Sequence, residues 1–119
     1  MAGQVTHFEI RGEDGAKLMD FYRDLFGWEI DANNPMQYGM VAGHTGGIGG
    51  GVTGVQPGQP TGVTVYIEVP DVAAALQQAV AKGGKVVMEA TPLPMGDMVI
   101  GLFADPQGNV IGLAKEGAM

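Results

Sequence analysis

An α+β domain built from two copies of a βαβββ unit is the fold this sequence predicts. Three observations carry that reading: an internal repeat, two capped helices, and short β-rich segments set between glycine-rich turns. Val5-Thr6-His7-Phe8-Glu9-Ile10, followed by a helical stretch ending at Phe26-Gly27-Trp28, is echoed by Val65-Tyr66-Ile67-Glu68-Val69 and a helical stretch ending at Gly83-Gly84-Lys85. Aligning Glu9 with Glu68 sets the copies 59 residues apart, about half of the 119-residue chain. Two units are too few for a solenoid, so they are expected to close into one pseudo-symmetric domain with a cleft between them. Module one covers about residues 4–54 and module two about 62–115.

Element by element, Gln4–Ile10 alternates as a half-buried strand, with Phe8 and Ile10 on one face and His7 and Glu9 on the other. Asp14 is placed to cap a helix over Gly15–Phe26, in which Leu18, Phe21, Tyr22 and Leu25 recur at helical spacing. Gly27 sits where a left-handed C-terminal residue is wanted. Trp28–Asp31, Met36–Ala42 and Gly47–Val52 read as short strands joined by Asn33-Asn34-Pro35 and by Gly43-His44-Thr45-Gly46. Val55–Gly62 has no apolar period and reads as the linker. The second copy follows in the same order. Val63–Val69 is a strand, Asp71 caps a helix over Val72–Lys82 with Val72, Leu76, Ala79 and Val80 inward, and Lys85–Glu89, Met98–Ala104 and Val110–Ala114 are strands. Asp105-Pro106-Gln107-Gly108-Asn109 turns the chain into the last of these.

Composition narrows the partners. Thirteen acidic residues against six basic ones give a net charge of −7, which repels a phosphate backbone, so nucleic acid is not expected. The chain has no cysteine, consistent with a reducing compartment. No apolar run approaches the roughly 20 residues of a membrane span, and Met1-Ala2-Gly3-Gln4 lacks the basic start of a secretion signal. A cytoplasmic protein is expected. Glycine is abundant at 21 residues, yet 45% of the chain is hydrophobic, so a packed core is expected.

Three segments in order, Asp20-Phe21-Tyr22-Arg23-Asp24-Leu25-Phe26-Gly27-Trp28-Glu29, Ala79-Val80-Ala81-Lys82-Gly83-Gly84 and Phe103-Ala104-Asp105-Pro106-Gln107-Gly108-Asn109, resemble the "FYxxLFGW", helix-end and "DPxGN" motifs of the vicinal oxygen chelate superfamily. That superfamily includes glyoxalases, bleomycin resistance proteins and extradiol dioxygenases. The resemblance spans essentially the whole chain and implies two βαβββ modules whose mixed sheets curl around a shared cavity, commonly as a homodimer. Its metal enzymes carry four ligands, one on the first and one on the last strand of each module. Here those positions fall on His7 or Val5, depending on register, then on the Gly49–Gly51 run, on Thr64 and on Gly112. At most one ligand survives, with His7 the weak candidate. No cofactor is therefore expected, the alternative being a divalent metal in a rearranged site of His7, Glu9 and Glu68.

Strand alternation and the repeat register place His7, Glu9, Tyr66 and Glu68 on the strand faces turned away from the helices. Four polar groups on such a face can share protons, bind a ligand, or satisfy one another, as when His7 bonds a neighbour such as Tyr66. Met40 and Phe103 are candidate apolar walls of the ligand site; Trp28, Met95 and Met98 are further possibilities. The glycine run 46–51 lacks the lysine and following helix of a phosphate loop, and His44 is expected to be exposed. The reading is a glyoxalase-like, bleomycin-resistance-like protein that binds a small, partly apolar metabolite without metal. Its rivals are a metal-dependent lyase or dioxygenase and an antibiotic-sequestering resistance protein.

Overall fold

The computed structural model describes residues 3–43, 47–56, 60–94 and 96–117. Two helices and eight strands follow in the order β1 (Gln4–Gly12), α1 (Gly15–Phe26), β2 (Ile30–Asp31), β3 (Gly39–Val41), β4 (Gly49–Gly54), β5 (Gly62–Val69), α2 (Val72–Ala81), β6 (Lys85–Pro92), β7 (Val99–Ala104) and β8 (Val110–Lys115). This is the α+β, twice-βαβββ order expected from the repeat. The helix ends obey the expected local chemistry. Asp14 accepts from the Lys17 amide, Asp71 accepts from the Ala74 amide, and Gly27 closes α1 at φ 71°, where its N–H donates to the Arg23 carbonyl.

Contacts divide the chain into two compact units, His7–Thr64 and Met1–Thr6 with Val65–Met119. In the first, strands lie in the order β2-β3-β4-β1, antiparallel except for β1 with β4, where His7 pairs Gly49 and Glu9 pairs Gly51. Its core is Met19, Ile30, Val41 and Val52, with Phe8, Ile10, Leu18, Tyr22 and Trp28 packed around them. Phe8 and Ile10 thus turn toward α1, as alternation requires.

The apolar residues of α1 spread over more than one face, and the structure decides which one packs. Met19 is buried, whereas Phe21 and Leu25, expected inside, are 55% and 57% exposed. A tight seat at the helix start accounts for this. A Cβ on Gly15 would lie 2.6 Å from the Gly54 amide nitrogen, so the first turn of α1 rests directly on β4 and fixes the rotation of the helix. Trp28 belongs to this core, stacking on Tyr22 at 5.2 Å between centroids.

In the second unit the order is β5-β8-β7-β6, with β5 and β8 parallel. Its core is Val72, Leu76 and Leu113, joined by Ile67, Val69, Val86 and Phe103. Val80, expected inward, is 51% exposed. The N–H of Gly3 donates to the Glu68 carbonyl, and that of Glu116 to the Val69 carbonyl. His44 and Met95 lie outside the described residues.

Candidate functional site

The polar side of β1 carries His7, Glu9 and Arg11 at alternate positions, opposite the two residues that enter the core. His7 Nε2 and the Tyr38 hydroxyl lie 2.9 Å apart, and the two rings are stacked at 6.2 Å. Tyr38 reaches that place because its loop is shaped for it. The Asn34 side chain donates through Nδ2 to the Tyr38 carbonyl at 2.7 Å and accepts the Tyr38 N–H at 2.9 Å, a two-point grip on one backbone unit. Gln37, just before it, is the one non-glycine residue with positive φ among the described residues, at 51°.

Gly51 completes the arrangement. A side chain at that position would run into the Tyr38 phenol, so the ring fills the space that a ligand-bearing residue on β4 would need. Burial pushes the His7 imidazole below its ordinary pKa, and the nearby Glu9 charge offsets this only in part. A neutral imidazole beside a phenol can take or give one proton in the shared bond according to its tautomer.

The second cluster on this face is ionic. Arg11 Nη1 donates to Glu9 Oε2 and to Thr64 Oγ1, each at 3.1 Å, and Arg11 Nε donates to the Pro60 carbonyl at 3.3 Å. The Arg11 and Glu9 side chains are 10% and 13% exposed, and Thr64 is buried. Sequence reasoning missed both Arg11 and Tyr38. Arg11 was legible as the next same-face residue of an extended β1, but nothing in the chain announces Tyr38, which joins His7 across 31 positions.

The expected site residues divide between the units. His7, Glu9 and Met40 lie in the first, and Tyr66, Glu68 and Phe103 in the second. Met40 pairs with Gly51, and its exposed side chain helps line an open cleft of about 670 Å³ with Trp28, Ile30 and Val41. Tyr66 is buried, and its ring lies over Gly112, where a Cβ would collide with it. The second unit thereby repeats the ring-over-glycine device of Tyr38 and Gly51. Phe103 is set apart from Tyr66 and Glu68. It packs with the α2 cluster and borders a smaller cleft of about 310 Å³ with Ala75, Ala79 and Lys82. The reason is alternation: Gly101 and Phe103 share a face of β7, and a Cβ on Gly101 would meet Leu76 and Val72 of the helix.

A divalent metal needs several converging oxygen or nitrogen donors, and the described residues do not fit one. No group of three His, Asp or Glu side chains converges among the described residues. Gly112, at one expected ligand position, lies under the Tyr66 ring, and in the Gly49–Gly51 run that holds another, Gly50 lies under Phe8 and Gly51 under Tyr38. At a third, Thr64 is bonded to a guanidinium, whose charge opposes a neighbouring cation.

Comparison with known proteins gives a consistent family. The model of the Glyoxalase/Bleomycin resistance protein/Dioxygenase superfamily matches residues 4–113. The chain is 32% identical over 120 aligned positions to the putative glyoxylase CFP32 of Mycobacterium tuberculosis, covering 93% of this chain and 45% of that one. It therefore spans about half the length of that relative. A glyoxylase-like domain-containing protein of Didymella fabae is 28% identical over 114 positions, covering 90% of this chain and 89% of its own. Among solved structures, a Streptomyces coelicolor methylmalonyl-CoA epimerase in complex with 2-nitronate-propionyl-CoA superposes with a TM-score of 0.68 at 18% identity, over 100% of this chain and 98% of that one. That likeness is one of fold.

Proposed function

The chain belongs to the Glyoxalase/Bleomycin resistance protein/Dioxygenase superfamily, and from that premise we propose that it binds a small, partly apolar molecule through hydrogen bonds rather than through a metal. The polar end of the ligand meets the His7–Tyr38 pair and Glu9, and Met40 supplies apolar surface beside them. Tyr66 and Glu68, at corresponding positions of the second repeat, belong to the same reading. One observation supports it: the expected ligand positions of the two last strands hold glycine, and aromatic rings lie over Gly50, Gly51 and Gly112. A neutral imidazole and a phenol at 2.9 Å suit recognition of a hydroxyl or carbonyl group, because the pair can present a donor or an acceptor.

The rival lyase or dioxygenase would require Glu9 as a ligand, and Glu9 is held in an ion pair by Arg11. Drawing it onto a metal would leave a largely buried guanidinium without its counter-charge, at several kcal/mol.

The test is a thermal-shift screen of small aromatic and aliphatic metabolites, run with EDTA and with added zinc, manganese or iron, alongside elemental analysis. Ligand binding to the native state raises the apparent Tm by mass action. The expected result is a set of ligands whose shifts are indifferent to metal, with no stoichiometric metal in the purified protein. Near-equimolar metal that disappears in His7→Ala would overturn the reading.

A further inference from the structure

The two repeats fill the seam between helix and sheet differently. The caps Asp14 and Asp71, like Gly27 and Gly84, are 57 residues apart, and at that offset buried Met19 corresponds to buried Leu76, so α1 and α2 turn equivalent faces to their strands. In the first unit the seam beside Met19 is closed by rings. Trp28 stacks on Tyr22 at 5.2 Å and lies 5.7 Å from Phe8 between centroids, and Leu18 packs on the same core. At the corresponding places the second repeat carries Lys85, Ala79, Ile67 and Ala75. Two rings and a leucine give way to two alanines and a lysine. What the first unit fills with its own side chains the second leaves as the cleft of about 310 Å³, walled by Ile67, Ala75, Ala79, Phe103 and Leu113.

We propose that this cleft is a binding site for one small, uncharged aromatic molecule, which takes the place that the Tyr22 and Trp28 rings hold in the first unit. Every wall residue lies within Val65–Met119, and the proposal does not depend on the reading of the β1 face. Size and walls agree with it. Ligand pockets begin at about 300 Å³, and apolar walls of this kind gain by exchanging water for a ring, with Phe103 available for an aromatic contact. The rim sets the charge. Lys82 and Asp105 both border the cleft, and the Asp105 carboxylate already accepts the Gln107 and Asn109 amides, so a full charge of either sign on the ligand would meet its like. A single hydroxyl or ring N–H can instead bond at the rim, where the Gln78 amide also lies.

Indole is the probe, titrated into 15N-labelled protein. Amide signals of Ala75, Ala79 and Leu113 report on the seam, and those of His7 and Tyr38 on the β1 face. Indole is expected to shift the seam signals saturably. Ala79→Leu, which puts a branched side chain into the cleft, should weaken indole at least tenfold while leaving Tm unchanged or higher, because it fills a gap rather than crowding a packed core. Ala75→Leu restores the residue that the first repeat carries there, and it decides the matter should Ala79→Leu lose the native pattern of dispersed signals. Benzoate and benzylammonium, each a ring with a charge, should bind at least tenfold more weakly than indole. If indole leaves the seam signals unmoved, or binds the folded leucine variants as well as the wild type, the site does not exist. If it shifts the His7 and Tyr38 signals alone, this inference falls and the reading of the β1 face stands. If either charged ring binds as well as indole, the assignment to uncharged ligands is overturned.

Discussion

Gly51→Ala is the change whose outcome follows most directly from the geometry, because two effects of opposite sign compete in it. Gly51 lies within β4, between neighbours paired on both sides, and its backbone is not in the left-handed region that would require glycine. With open space above it, an alanine there should stabilise the strand by about 0.5 to 1 kcal/mol, since glycine loses more backbone entropy on folding. The space is not open. The new methyl group would overlap the Tyr38 phenol, and the ring must move off the strand, breaking its bond to His7. Overpacking of this kind costs about 1 to 3 kcal/mol, and the lost hydrogen bond about 1 more. Gly51→Ala should therefore destabilise the protein by about 1 to 3 kcal/mol net, whereas in a Tyr38→Ala background the same substitution should be neutral or stabilising. Urea unfolding followed by the fluorescence of Trp28, the only tryptophan, measures all four corners of this cycle, with an expected coupling of about 2 to 3 kcal/mol. A Gly51→Ala protein more stable than the wild type would mean that the ring does not lie where the structure has it, and the argument against a chelating residue on β4 would fail with it.

Other outcomes follow from the same face. Burial holds the His7 pKa below its value in the unfolded chain, so the unfolded state binds more protons below about pH 6.5. The stability advantage of the wild type over His7→Gln should be complete above that pH and shrink as pH falls toward the folded pKa; an advantage that grows on acidification would show the shift to have the other sign. Arg11→Met removes the cationic partner of the largely buried Glu9 carboxylate, which should cost about 3 kcal/mol in urea unfolding, with much of it recovered in Glu9→Gln/Arg11→Met; a single variant as stable as wild type would refute this. We also propose that the protein is a homodimer, because Phe21, Leu25 and Phe26 are each more than half exposed on one helix and a monomer rarely leaves such a patch uncovered. Light scattering should give twice the monomer mass at micromolar concentration, and a monomer throughout that range would dismiss the proposal.

What depends on short range and period was legible in the chain alone. The repeat set the element order. Asp14, Asp71 and Gly27 marked helix ends that the structure keeps to the residue, because caps answer to backbone groups within four positions. Alternation along β1 assigned Phe8 and Ile10 to the core and His7 and Glu9 to the other face. The remaining features depend on packing between distant segments. The rotation of α1 depends on a glycine contact with β4, and a helix apolar on several sides carries no local preference strong enough to choose. Phe103 goes to the helix side by the packing of Gly101 beneath Leu76 and Val72. Above all, the partners of the polar face are remote: Tyr38 reaches His7 across 31 positions and Thr64 reaches Arg11 across 53. Side-chain hydrogen bonds over such separations leave no periodic trace in a single sequence, since they are fixed only when folding brings β1, the loop before β3 and the start of β5 within 3 Å or so of one another.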